Sequence, residues 1–201
     1  MASSAPLRWG IMGTANIARK NTRAMALSPQ AELVAVASRD LDRCTAWVDS
    51  NGHRPAGTVA CYGSYAELLA DSNVQAVYIP LPTTLHLEWV LKAAAAKKHV
   101  LVEKPVGVTL ADAQAMVAAC ADHGVLFMDG VMFMHHERLA RIEAELGLGP
   151  RAQPPSFWGG VTRVTAAFSF PADSAFLAGG NIRARADGDP LGCLGDLGLY
   201  W

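Results

Sequence analysis

A lysine at the end of a short apolar run is the feature of this sequence that most directly suggests chemistry. Lys104 follows Glu103 and precedes Pro105, and a proline there stops a strand and fixes the direction of the chain beyond it. A lysine ammonium in that position can polarise a substrate oxygen or lower the pKa of a nearby acid. The alternative is a solvated lysine after a strand, which is the commoner situation for an isolated lysine.

A turn near the amino terminus suggests a nucleotide site. The run from Gly13 to Ala18 (GTANIA) follows an apolar stretch and opens an amphipathic one. A dinucleotide site needs a tight strand-to-helix turn, close approach of the backbone to the pyrophosphate, and helix amides that face it. Gly13 and Ala18 fit the first and third positions of the fingerprint, whereas Ala15 stands where the second glycine is usual. The alternative is a simple glycine turn, but its place at the first strand–helix junction favours a nucleotide site.

The residues after the second apolar run bear on the choice of cofactor. An NAD site places a carboxylate there for the ribose 2′-hydroxyl, whereas a nearby arginine accommodates the 2′-phosphate of NADP. Here the run is followed by Ser38 and Arg39, a hydroxyl and a guanidinium that can hydrogen-bond and neutralise a phosphate. Asp40 could bind a ribose or cap the next helix, and we favour the cap. The pattern therefore predicts NADP.

A doubly wound α/β fold must position these residues. Strands that are apolar on both faces, separated by helices of about 10–15 residues, indicate a parallel sheet that is covered on both sides. The pattern predicts strands over 7–12, 32–37, 58–62, 74–80, 99–103 and 125–129, and helices over 15–27, 40–51, 64–71, 85–97 and 110–123. Ligands of such sheets bind at the carboxyl ends of the strands, so the candidate residues should share one edge.

The amino-acid composition changes after about residue 147. Residues 147–155 are rich in Gly and Pro and are typical of a linker, and residues 156–170 have the aromatic, Thr and Val content of a strand. A lone strand cannot satisfy its own edges. We therefore expect residues 1–130 to form an NADP-binding Rossmann domain, and residues 131–201 to hold a linking helix and the truncated start of a second domain.

Composition argues against several other classes of protein. The chain has 201 residues, 51% of them hydrophobic, and a net charge of −1. It predicts neither a nucleic-acid surface nor a membrane span, which needs roughly 18–20 consecutive apolar residues. The four cysteines form no CxxC pair, and no Cys or His spacing fits a metal site. We expect no metal, reduced thiols and a cytoplasmic location.

Two clusters of residues are given structural rather than functional interpretations. Lys97 and Lys98 are interpreted as a solvated helix end that complements the helix dipole. The methionines Met128, Met132 and Met134 are interpreted as core residues.

Taken together, these stretches resemble the Gfo/Idh/MocA family of glucose–fructose oxidoreductase-like dehydrogenases. The likeness is carried by residues 8–18, 35–39, 78–89 (YIPLPTTLHLEW), 103–105, 128–136 and 192–200, whose order and spacing are more specific than any one stretch. Within the family, the chain is most similar to the branch of NADP-dependent D-xylose 1-dehydrogenases and trans-dihydrodiol dehydrogenases. It departs from the family at Ala15 and at Leu199, where an aromatic residue is common.

The resemblance implies roles for the residues at matching positions. Lys104 matches the active-site lysine, and Asp196 and Tyr200 match residues that line the active site. These two are four apart and would share a face of a helix. The resemblance also implies a carboxyl-terminal α+β sheet domain that completes the substrate pocket and makes a homodimer interface. The cofactor-binding residues, from pattern and resemblance together, are Gly13, Thr14, Ala15, Asn16, Ile17, Ser38, Arg39, Pro80, Leu81, Pro82, His86, Glu103 and Lys104.

The implied reaction is hydride transfer between the CH–OH group of a sugar or diol and NADP. We hypothesise that Tyr200 is the general acid/base, that Lys104 lowers the pKa of its phenol from the usual value of about 10, and that Asp196 orients the substrate or Lys104. In the alternative assignment Lys104 itself carries the proton. Two rival hypotheses are a non-catalytic NADP-binding protein and an inactive fragment.

Overall fold

A six-stranded parallel sheet organises the chain, in the order β3-β2-β1-β4-β5-β6. The computed structural model describes residues 5–51, 59–147 and 189–198, with the single residues 162, 163, 165, 167, 174, 178 and 185. The strands are β1 (Leu7–Met12), β2 (Ala31–Ala37), β3 (Ala60–Tyr62), β4 (Ala76–Ile79), β5 (His99–Val102) and β6 (Phe127–Asp129). This is the strand order of a dinucleotide-binding sheet, and the predicted doubly wound fold is confirmed.

Helices connect the strands as the sequence pattern predicts. They are α1 (Asn16–Leu27), α2 (Leu41–Ser50), α3 (Tyr65–Ala70), α4 (His86–Ala95) and α5 (Leu110–Asp122), followed by α6 (Glu137–Leu146) and α7 (Gly192–Leu197). Short 3₁₀ turns at Thr83–Leu85 and Met132–His135 precede α4 and α6. Capping boxes at Ser64 and Thr109 start α3 and α5, because each side chain accepts from a backbone N–H three residues on.

Apolar residues on both faces of the sheet form two core clusters. In β4, Val77 and Ile79 pack in the cluster that includes α3, α4 and α5 residues, whereas Tyr78 packs with α1 and α2 residues on the other face. All three are completely buried. The alternation follows from the two-residue period of a strand, and it requires helices on both faces.

The boundaries of the elements agree with the predictions to within two residues. The predicted strand over 58–62 is shorter, over Ala60–Tyr62, and the one over 74–80 is confined to Ala76–Ile79. Most of the predicted strand over 156–170 and most of the predicted linker over 147–155 lie outside the described residues. Among the helices that the structure describes, none is long and apolar enough to cross a membrane.

The interpretation of the methionine cluster as core is wrong. Met128, Met132 and Met134 are between 44% and 56% exposed. They lie on β6, the last strand of the described sheet, and in the 3₁₀ turn that follows it.

The interpretation of Lys98 as a solvated residue is also wrong. Its side chain is only 7% exposed, and its ammonium donates to the backbone carbonyls of Asp71 and Val74, each at 2.7 Å. Burial lowers the pKa of Lys98, and the Asp71 charge works against that shift. The neighbouring Lys97 has a φ of 59° and donates to the carbonyl of His123. Lys98 therefore fastens the loop before β4, a role that a charge pattern does not reveal.

We predict that Lys98→Met lowers the free energy of unfolding by about 1–3 kcal/mol, because two buried carbonyls lose their donor. Urea denaturation of both proteins measures the change. Lys92→Met is the matched control, since Lys92 is half-exposed in an ion pair with Glu88 and its loss should cost under about 1 kcal/mol. Equal destabilisation by the two substitutions would contradict the anchoring role of Lys98.

Candidate active site

The candidate residues meet at the carboxyl edge of the sheet, above β1, β4 and β5. β1 pairs with β2 on one side and with β4 on the other, so the connections leave β1 and β4 in opposite directions. In parallel sheets a crevice opens at such a point. The segments after β1, β4 and β5 contain Gly13, Leu81 and Lys104, respectively, and adjacent strands are only about 4.8 Å apart.

The turn after β1 requires glycine at position 13. Gly13 has a φ of +112°, and its N–H donates to the carbonyl of Ala37 at 2.8 Å. A Cβ atom there would lie 3.0 Å from Cδ2 of Leu81, in the loop after β4. Gly13 therefore has no side chain where a ligand has to approach the backbone, and the Leu81 side chain forms the neighbouring wall.

The N-terminus of α1 is arranged to receive an anion. The N-cap residue, Ala15, makes no side-chain cap, and the first turn contains no acidic residue. The N–H groups of Asn16 and Ile17 and the positive end of the helix dipole are thus not neutralised by a capping side chain. Ala18 is fully buried, as close packing of α1 on the sheet requires. Thr14 and Ala15 are partly exposed beside this helix end.

Ser38, Arg39 and Asp40 directly follow β2. Ser38 is buried, with its N–H donating to the carbonyl of Tyr62, and Arg39 is exposed beside it. Asp40 caps α2, because its carboxylate accepts from the N–H of Arg43 at 3.0 Å. The prediction that Asp40 caps the helix is confirmed. The Asp40 carboxylate is thus engaged with the helix, whereas the Arg39 side chain is exposed at the end of β2.

Sequence reasoning missed Arg43 and Tyr65 in this region. Arg43 lies in the first turn of α2, where a cation is unfavourable for the helix dipole. The hydroxyl of Tyr65 lies 3.9 Å from the position of a Cβ on Gly13. Burial raises the pKa of Tyr65, while the positive charges of Arg39 and Arg43 oppose the shift. The charges of both arginines therefore act on Tyr65, whose hydroxyl lies beside the turn, and the spacing of four between them in the sequence was the available signal.

The loop after β4 contains the next predicted residues, Pro80, Leu81 and Pro82. Pro80 is buried, and Leu81 and Pro82 are partly exposed at the crevice. His86, the first residue of α4, is 1% exposed, and both of its ring nitrogens contact backbone carbonyls. The structure therefore offers His86 no free ring nitrogen for a cofactor, and its connection to the crevice is indirect.

Among the residues that the structure describes, Glu103 has two hydrogen-bond partners. Its Oε1 accepts from the Tyr78 hydroxyl at 2.6 Å, and its Oε2 accepts from the N–H of Lys104 at 3.2 Å. Burial, followed by the neighbouring Glu103 charge, raises the pKa of Tyr78 above its ordinary value, so the phenol stays protonated and donates. Tyr78 was not predicted as a site residue, since a tyrosine in a buried strand has no distinct sequence signal. The pair fixes the chain immediately before Lys104.

Lys104 pairs with an acid from a distant part of the sequence. Its ammonium donates to Oδ1 of Asp196 at 2.7 Å and also to the Asp196 carbonyl. The side chains are 10% and 14% exposed, respectively. The peptide bond between Lys104 and Pro105 is cis. The structure thus brings together two of the three predicted catalytic residues, and Asp196 contacts Lys104 as one of its two predicted roles requires.

The third predicted catalytic residue, Tyr200, lies outside the described residues. The described part of α7 ends at Leu197, and Gly198 is its C-cap. Within the described ranges, no group of three or more His, Cys, Asp or Glu side chains could hold a metal ion.

Comparisons with known proteins agree with this geometry. Residues 7–131 match the model of the Gfo/Idh/MocA oxidoreductase family, described as having an NAD-binding Rossmann fold. The chain is 34% identical over 200 residues to dTDP-3,4-didehydro-2,6-dideoxy-alpha-D-glucose 3-reductase of Actinomadura kijaniata, covering 99% of this chain and 55% of that protein. It is 37% identical over 198 residues to D-xylose 1-dehydrogenase (NADP(+)) 2 of Haloferax volcanii, covering 96% and 54%, respectively.

A solved structure extends the comparison. The chain superposes with a TM-score of 0.83 and 32% identity on a tyrosine-to-phenylalanine variant of KijD10, a 3-ketoreductase from Actinomadura kijaniata, in complex with TDP-benzene and NADP. The match covers 97% of this chain and 55% of that one. The chain thus spans about half the length of the curated relatives it matches.

We predict that Asp40→Ala lowers the free energy of unfolding by about 1 kcal/mol, because α2 loses its cap, while affinity for NADPH stays within about twofold. Asp40→Ser is the matched control, since serine also caps helices and should preserve stability. Urea denaturation and fluorescence titration with NADPH measure the two quantities. A tenfold loss of affinity in both variants would instead assign the carboxylate to the ligand.

Proposed function

The chain belongs to the Gfo/Idh/MocA oxidoreductase family, and from that premise we propose that it binds NADP and serves reversible hydride transfer to or from a CH–OH carbon of a sugar or diol. The observation that carries the proposal is the pairing of Lys104 with Asp196 at the end of β5, beside the crevice above β1 and β4. A charged lysine in that place can stabilise developing negative charge on a substrate oxygen.

The arrangement of this chain's own groups supports the binding of NADP. The bare backbone at Gly13 and the N-terminus of α1 fit a pyrophosphate. Arg39 and Arg43 supply two guanidinium groups for the 2′-phosphate, and the fork of donors on arginine suits that group. Leu81 gives the crevice an apolar wall. NADP, when bound, would supply the centre that accepts or donates the hydride.

The chain's residues would handle the proton and the charge. We assign Tyr200 as general acid/base for the substrate hydroxyl and Lys104 as the neighbouring cation that stabilises its phenolate. Asp196 holds the Lys104 ammonium in place from a separate segment of the chain. In the rival assignment, Lys104 itself exchanges the proton with the substrate.

The nature of the substrate is a separate part of the proposal. The xylose dehydrogenase among the relatives supports an aldose. The 3-reductase and the 3-ketoreductase relatives, one solved with TDP-benzene, support a second candidate, the reduction of a keto-sugar attached to a nucleotide. A panel of D-xylose, other aldoses, polyols, trans-diols and dTDP-linked keto-sugars, monitored by NADPH absorbance, distinguishes the two.

A binding measurement alongside the turnover panel tests the non-catalytic alternatives. Binding of NADPH by isothermal titration without turnover of any panel member would favour a non-catalytic binding protein, whereas the absence of both would favour an inactive fragment. A cytoplasmic location and a homodimer of the full-length form stay predictions from the sequence.

We predict that Arg39→Ala weakens NADPH binding by about 10- to 100-fold, because a charge-assisted hydrogen bond to the phosphate is lost. NADH has no 2′-phosphate, so its affinity should change less than threefold. Titrations with both nucleotides measure the difference. Arg23→Ala, at an exposed position of α1, is the matched control and should leave both affinities unchanged. Equal losses for NADPH and NADH would contradict the assignment.

We predict that Tyr200→Phe lowers kcat by roughly 10²–10⁴-fold with little change in NADPH affinity, because the general acid/base is removed. Lys104→Met should lower kcat by roughly 10²–10³-fold through the loss of charge stabilisation. Steady-state kinetics across pH measures both. If Tyr200→Phe keeps near-full turnover at every pH while Lys104→Met abolishes it, the rival assignment of Lys104 as proton carrier is correct.

A further inference from the structure

The buried ring of His86 joins two segments that carry different parts of the site. Its Nε2 lies 2.8 Å from the carbonyl oxygen of Leu81, in the loop after β4. Its Nδ1 lies 3.1 Å from the carbonyl oxygen of Pro105 and 3.0 Å from that of Val106, in the segment after β5. The ring is therefore a bridge between two loops whose strands are neighbours in the sheet.

The two segments that the His86 ring joins belong to different parts of the candidate site. On one side, the Leu81 side chain lies 3.0 Å from the position of a Cβ on Gly13, so it forms the wall of the nucleotide turn. On the other side, Pro105 directly follows Lys104, whose ammonium is paired with Asp196. A change in the length or direction of the bridge would move the turn's wall and the lysine relative to each other.

The hydrogen-bond contacts of the His86 ring are all to backbone carbonyl oxygens. A carbonyl oxygen only accepts hydrogen bonds, so a neutral ring donates to one arm only, and both arms bond together in the imidazolium form, which carries a proton on each ring nitrogen. Burial lowers the pKa of His86, whereas the three carbonyl contacts and the Glu103 charge oppose that shift. Among the described residues, no side chain hydrogen-bonds to the ring, so the carbonyl contacts define what this histidine does.

We propose, on the basis of the function proposed above, that His86 is a positioning residue that sets the nucleotide wall at Leu81 and the catalytic lysine at Lys104 through two separable hydrogen-bonded arms. The arm to Leu81 acts on cofactor affinity. The arm to Pro105 and Val106 acts on turnover, since it fixes the backbone that directs Lys104. His86 touches neither substrate nor cofactor in this assignment.

Two amide side chains can separate the arms. In His86→Asn, the amide nitrogen can take the place of Nδ1 and still donate to Pro105 or Val106, but it does not reach Leu81. In His86→Gln, the longer side chain places its amide nitrogen near Nε2, so it keeps the donor to Leu81 and loses the other arm. Because each arm is a hydrogen bond to a neutral carbonyl, its loss should produce an effect of about 3- to 10-fold.

The experiment compares both variants with the wild-type full chain. We expect His86→Asn to raise the Kd for NADPH by about 3- to 10-fold with kcat within twofold, and His86→Gln to lower kcat by about 3- to 10-fold with Kd within twofold. Fluorescence titration gives the Kd, and steady-state kinetics on a substrate identified by the panel gives kcat. His99→Asn and His99→Gln are matched controls, because His99 lies at the opposite end of β5, where its Nδ1 accepts from the N–H of Leu126.

Melting temperatures of all variants distinguish positioning from folding. If both His86 variants lower kcat and affinity in parallel, or change only the melting temperature, the two-arm role is overturned while the proposed function stands. If the wild-type chain binds NADPH but turns over no panel member, the proposed enzymatic function fails, and the Kd values of the two variants still decide the Leu81 arm. A wild-type chain that does not bind NADPH overturns both proposals.

Discussion

The pairing of β1 with β4 is the constraint on which the candidate site depends. The chain reaches β4 only after building β2 and β3 on the other side of β1, so the helices that follow β1 and β4 cover opposite faces of the sheet. The space between their connections is the crevice. Because every strand pair is parallel, Gly13, Leu81 and Lys104 all emerge at the same edge. Their proximity is a property of strand order rather than of any local motif.

The two acids near Lys104, Glu103 and Asp196, have different roles. Glu103 is engaged by the Tyr78 hydroxyl and the N–H of Lys104, so it stabilises the end of the strand. Asp196 meets the ammonium from a different segment and orients the charge. A pair of groups that are 10% and 14% exposed is screened less by salt than a surface pair, although its desolvation cost offsets much of the attraction. The Lys104–Asp196 pair therefore contributes more to the position of the ammonium than to the free energy of folding.

Much of the fold could be predicted from the sequence, because strands buried on both faces and capped helices leave strong local patterns. The Asp40 cap and the Gly13 turn are local in the same sense. Lys98 was predicted to be solvated, and His86 was predicted to bind the cofactor. The partners of both side chains are backbone carbonyls, which no sequence pattern marks. Tyr65 acquires its place only when α3 packs beside β1. The resemblance to a family supplied the Lys104–Asp196 association, and nothing in either residue's neighbourhood could have indicated it.

The separation of 92 positions between Lys104 and Asp196 has a consequence for the order in which the molecule assembles. The contacts among β1, α1 and β2 join residues close in sequence and have a low cost of loop closure, whereas bringing Asp196 to Lys104 closes a far longer loop. A single ion pair offsets little of that entropy, because the cost of desolvating its charges cancels much of their attraction. We therefore expect β1, α1 and β2 to fold first and the Lys104 ammonium to pair with Asp196 afterwards. The nucleotide site would then form before the catalytic site during folding.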